Sequence, residues 1–129
     1  MGAWGHRAFE NDTAADWVWE LEETDDLSLL NCALDSALDT TDDIDADIAS
    51  EALAAAEVVA ALNGVPHIDL PNSIVSWTTG RPRPDTALVE KARKAATRIL
   101  QSSELAELWA EADGTEWNDD VQALINRLT

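Results

Sequence analysis

The side chains of this sequence that could do chemistry are mostly carboxylates: 26 Asp and Glu against two histidines, His6 and His67, and one thiol, Cys32. A zinc or iron centre draws on several His, Cys or Glu-x-x-His groupings. Neither histidine has a Glu three residues before it, so the sequence predicts no metal site and no cofactor. His6 sits among glycines and His67 follows a proline, which places both in loops. No serine lies in a Gly-x-Ser-x-Gly elbow, and no glycine-rich loop precedes Lys-Ser or Lys-Thr. Carboxylate pairs for general acid–base work are common by chance when 26 acids are present, so their spacing identifies no catalytic couple. The expectation is a protein without a catalytic residue.

The densest run of acids is Asp35, Asp39, Asp42, Asp43, Asp45, Asp47 and Glu51. A calcium loop needs glycine at its sixth position and Glu at its twelfth. Read from Asp39 those places hold Ile44 and Ser50; read from Thr40 they hold Asp45 and Glu51. The glycine that permits the sharp turn is missing in both registers. Three readings remain. The run is a solvated helix junction, with Asp42 to Asp47 set favourably at the positive end of the next helix; or it is a loose divalent-cation site; or Asp39, Asp42, Asp43 and Asp45 form a surface that binds a basic protein.

Charge is unevenly distributed. The net charge is −18; residues 1–63 carry 16 acids and one base, and six of the eight bases fall between Arg81 and Arg98. Such a field repels nucleic acid and anionic lipid and attracts cationic partners, although it also serves solubility. Lys91, Lys94 and Arg98 share one helical face, which is expected to lie against the acidic half or to meet solvent. The whole-chain charge opposes a nucleic-acid footprint there.

The opening segment concentrates bulky and small polar groups: Trp4, Gly5, Phe9, Asn11, Asp12, Asp16 and Trp17. One reading is an N-terminal plug, with the aromatics anchored in the core and Asn11 or Asp12 capping a helix. The other is a pocket near Trp4 whose polar edge is Asn11, Asp12 and Asp16, serving an enzyme or small-ligand binder.

The elements that must position these groups are helical. Trp17 and Leu21, with Ala14 a turn earlier, predict a helix over Asp12–Glu23. Leu27, Leu30, Leu34 and Leu38 predict a second over Asp26–Leu38, and Cys32 beside this stripe reads as a small buried apolar residue. Ile44, Ile48, Ala52, Ala55, Val59 and Leu62 predict a third over Ile44–Leu62. Its alanine-rich surface lets neighbours approach closely and places it centrally; Asn63-Gly64 and Pro66 stop it. The proline-bearing stretch from Val65 to Pro84 is a connection with at most a short helix over Asn72–Thr78 and with Trp77 plugged onto the core. Asp85–Leu100 follows, with Leu88, Ala92, Ala95 and Ile99 buried. Ser102-Ser103 caps a helix carrying Leu105, Leu108, Trp109 and Ala112, and Thr115-Glu116 begins the last one, with Trp117, Val121, Leu124, Ile125 and Leu128 on one side. The prediction is an all-α, compact single-domain bundle spanning 1–129, with six to seven helices in orthogonal or irregular packing. With no apolar run near the roughly 20 residues of a membrane span and no signal-peptide layout, the expected location is the cytoplasm.

Three stretches also resemble a known family. Met1-Gly2-Ala3-Trp4-Gly5, Phe9-Glu10-Asn11-Asp12 and Ala15-Asp16-Trp17 are similar to the opening of the bacterial family called domain of unknown function 4259. Ala52–Leu62 and Ser103–Trp109 resemble its later segments. The resemblance implies a bacterial source and a small stand-alone protein, and it carries over no activity or catalytic residue. Together these readings point to an acidic helical binding module of the immunity or inhibitor type, with a basic protein as partner.

Overall fold

The computed structural model describes residues 12–24, 26–40, 43–67, 70–111 and 115–128. Among them lie seven helices: α1 (Asp12–Glu22), α2 (Ser28–Asp39), α3 (Ala46–Leu62), α4 (Asn72–Thr78), α5 (Thr86–Gln101), α6 (Glu104–Glu111) and α7 (Thr115–Arg127). They pack as a compact all-α bundle, and no strand longer than a single bridge occurs among the described residues. No helix among them is long and apolar enough to cross a membrane.

Helix α3 occupies the centre, packed by α1, α2, α4, α5, α6 and α7. Every residue from Ala52 to Ala60 is buried. That is more than the stripe expected from its spacing: it is enclosed on all sides because its alanines leave neighbouring helices nothing bulky to clear. Its start is capped by Asp45, whose carboxylate accepts the Asp47 amide at 2.8 Å. Its end is a Schellman turn, with Gly64 at φ +89° and the Val65 amide on the Ala60 carbonyl. Ile44 bridges to Ser103: its amide donates to the Ser102 carbonyl and its carbonyl accepts from the Glu104 amide. This bridge ties the entry of α3 to the entry of α6.

The other caps follow from side chains legible in the sequence. Asp85 accepts the Leu88 amide at the start of α5. Buried Ser103 accepts the Ala106 amide while donating to the Ile99 carbonyl. Trp77 is buried as expected, and its indole N–H donates to the Thr24 carbonyl at 2.9 Å. Two expectations need correction. Cys32 is exposed, because α2 buries Leu30, Ala33, Leu34 and Ala37 and position 32 falls on the opposite side. Helix α6 buries no residue fully; Leu105, Ala106 and Trp109 pack only partly and Leu108 is exposed, since a two-turn helix at the edge of the bundle has one neighbouring layer to lean on.

Candidate functional site

The sequence-predicted site residues that are described fall at three places: α1, the end of α2 and the entrance of α3. Trp4, Asn11 and Asp42 lie outside the described residues. Asp12 and Asp16 project from α1 on the side opposite Ala14, Trp17 and Leu21, and both are exposed. Asp39 closes α2, exposed. Asp43 and Asp45 flank Ile44 at the α3 entrance, where both are exposed and Asp45 serves as the cap.

The structure adds to Asp43 and Asp45 a set of acids from the other half of the chain. Glu104 of α6 accepts the Ala46 amide at 3.0 Å, so it joins Asp45 and Asp47 at the positive end of α3. Glu107, one turn further, is hydrogen-bonded to Asp43; that contact, the Asp43 charge and the nearby Glu104 and Glu111 hold its carboxyl above the ordinary range. A second crowding lies between α1 and α3. Glu51 is raised by partial burial and then by the charges of Glu20 and Asp47, while Thr13 donates to Asp47 at 3.0 Å. Sequence reasoning found Asp43 and Asp45 but missed Glu104, Glu107 and Glu111, because the two segments meet through tertiary contacts such as the Ile44–Ser103 bridge and the Glu104–Ala46 hydrogen bond, whose partners stand 58 residues apart.

Three basic residues of the Arg81–Arg98 segment make structural contacts. The Arg98 guanidinium donates to the Ala37, Leu38 and Thr40 carbonyls at the end of α2. Lys91 pairs with Asp35 at 3.0 Å and donates to Asn31. Arg81 lies over the Trp77 ring and donates to the Trp77 carbonyl. Of the face formed by Lys91, Lys94 and Arg98, Lys91 and Arg98 lie against α2 while Lys94 is exposed; for Arg98 the cause is the helix C-terminus, whose carbonyls lack partners and carry partial negative charge.

A polar cluster that the sequence did not reveal lies beneath the end of α3. Glu57 is only 1% exposed amid the alanines and valines of that helix. Arg127 of α7 grips both its oxygens at 3.0 and 3.1 Å, 70 residues away in sequence, and also donates to the Val65 carbonyl. His67, in the loop after α3, meets Asp120 of α7 at 2.8 Å, with side chains 13% and 16% exposed. Desolvation holds the Glu57 carboxyl above its usual range, against the opposing pull of Arg127. A buried carboxylate survives only when paired, and here α7 supplies the pairing. The one signal available in sequence was Glu57 itself, a lone charge within Ala52–Leu62.

No curated protein and no solved structure matches this chain. The family model described as Domain of unknown function (DUF4259) matches residues 2–120, which take in the opening motifs, the acidic entry of α3 and the Glu57, His67 and Asp120 cluster. The chain belongs to that family.

Proposed function

We propose that the acidic face formed by Asp43, Asp45, Glu104, Glu107 and Glu111 is a docking surface for a basic protein, and that the chain is a non-enzymatic binding module of the immunity or inhibitor type. The observation that carries this reading is the Asp43–Glu107 contact. Two carboxylates, Asp43 ahead of α3 and Glu107 on α6, lie beside each other at the surface, and their mutual repulsion is unfavourable for the isolated fold. A cationic partner would turn that repulsion into attraction, the pattern in which a binding surface is kept at some expense of stability. Such a field steers association and sets specificity more than it adds affinity. Helix α1 offers an apolar anchor as well. Trp19 is 72% exposed, and its neighbours one helical turn away, Asp16, Glu22 and Glu23, are exposed acids. An aromatic ring with acidic surroundings suits Arg or Lys on a partner, through the ring face and the carboxylates together.

The test is capture from extracts of the source cell at low salt, with the wild-type chain beside an Asp43→Asn/Glu107→Gln variant, followed by association kinetics on the retained protein. The expected result is a basic protein held by the wild type. Its association should slow by at least about tenfold between low and high salt and should slow likewise with the variant, whose fold is relieved of repulsion. Equal capture by both chains, or association rates indifferent to salt, overturns the reading.

A further inference from the structure

We propose that Glu57, His67 and Asp120 form a binding site for one divalent first-row transition-metal ion, with Arg127 as the group that orients Glu57 toward it. One ligand atom from each of the three residues can be chosen so that all lie within 4.8 Å of one another. Tetrahedral metal bonds of about 2.0–2.2 Å set donors roughly 3.4 Å apart. His67 Nε2 and Asp120 Oδ1 are already at 2.8 Å, so the remaining closure is at most about 1.4 Å in that geometry. His67 stands in the loop that follows α3, whereas Glu57 and Asp120 stand within helices.

The donor set selects the kind of ion. One imidazole nitrogen and two carboxylates suit zinc, cobalt or manganese, whereas calcium takes six to eight oxygens. Arg127 does not block the site. A carboxylate offers about four lone-pair positions, so Glu57 can keep both guanidinium bonds and still present an oxygen to a cation. Arg127 is itself anchored on the Val65 carbonyl, which makes it a positioning residue for Glu57. The charges also favour a cation. With a neutral imidazole, as metal binding requires, two carboxylates face one guanidinium and the cluster is one positive charge short, inside a molecule of net charge −18. Three protein donors leave a fourth position to solvent.

The spacing rules used for metal sites could not have revealed this arrangement, because the ligands come from three separate elements and His67 and Asp120 stand 53 residues apart. The experiment uses the full chain, freed of metal with a chelator and titrated with Co²⁺ and with Zn²⁺. Visible absorption follows the cobalt and calorimetry follows the zinc. One ion per chain is expected, with cobalt bands of a low-coordinate N/O site that zinc displaces. His67→Gln and Asp120→Asn, both at half-buried positions and checked for helicity, should each weaken binding by at least about tenfold. Asp43→Asn/Glu107→Gln, which alters only the acidic surface, should leave binding unchanged. Absence of stoichiometric binding overturns the proposal. So does binding that survives both ligand substitutions, or that is lost with the surface variant.

Discussion

Removing Arg127 while keeping Glu57 is the sharpest probe of how the bundle tolerates a charge at its centre. Arg127→Met deletes the guanidinium that grips Glu57 at 3.0 and 3.1 Å and leaves a carboxylate with almost no solvent contact. Breaking a buried pair from one side costs about 3–5 kcal/mol. Arg127 keeps some exposure, so the low end, about 3 kcal/mol, is expected. In a domain of this size that lowers the melting temperature by about 10 °C. The double variant Glu57→Met/Arg127→Met replaces the pair with apolar groups of similar length. It should recover most of the loss, because the desolvation of both charges disappears together with their attraction. Thermal and urea unfolding followed by far-UV circular dichroism at about pH 7 and about pH 5 would measure both. The single variant's deficit should shrink at the lower pH, since an orphaned Glu57 escapes its burial penalty by taking up a proton. A single variant within about 0.5 kcal/mol of wild type, or a double variant less stable than the single one, refutes the reasoning.

Arg98→Met removes the donors that satisfy the Ala37, Leu38 and Thr40 carbonyls; a loss of about 1–3 kcal/mol is expected, with faster amide exchange confined to the last turn of α2. Gly64→Ala forces a side chain into a φ of +89° and brings its Cβ to 3.3 Å from the Arg83 guanidinium; the Schellman turn should lose about 1–2 kcal/mol, measured by urea unfolding. The raised carboxyls of Glu51 and Glu107 bind protons more tightly folded than unfolded, so their contribution to stability falls as pH rises from their ordinary value of 4.5 through the raised one. Glu51→Gln/Glu107→Gln should flatten that slope and raise the melting temperature near neutrality, which a pH series of thermal scans would show. Asp26, lowered by its bonds from Ser28, works in the opposite direction and loses its contribution as pH falls below 3.8.

Helix positions and most of the core were legible because each depends on local pattern. Ala14, Trp17 and Leu21 were expected on one buried face, and so were Leu88, Ala92, Ala95 and Ile99; all are buried. Asp85, Ser103 and Gly64 marked helix ends through the hydrogen bonds their side chains or backbone permit within three to five residues. Cys32 was misread because leucines at positions 30 and 34 do not say which way position 32 points once α2 has chosen Ala33 and Ala37 as its buried side. Two of the five acids of that face were legible, since Asp43 and Asp45 stand in one run; Glu104, Glu107 and Glu111 joined them through the α6 packing. By itself the sequence determined an all-helical chain, its family and its excess of negative charge, all of which are properties of composition and of neighbours along the chain. Only the tertiary structure decided that Glu57 is buried, that α7 supplies its counter-charge, and that His67 and Asp120 stand beside it. Those contacts join residues up to 70 positions apart, and no local periodicity encodes which helix will close over another.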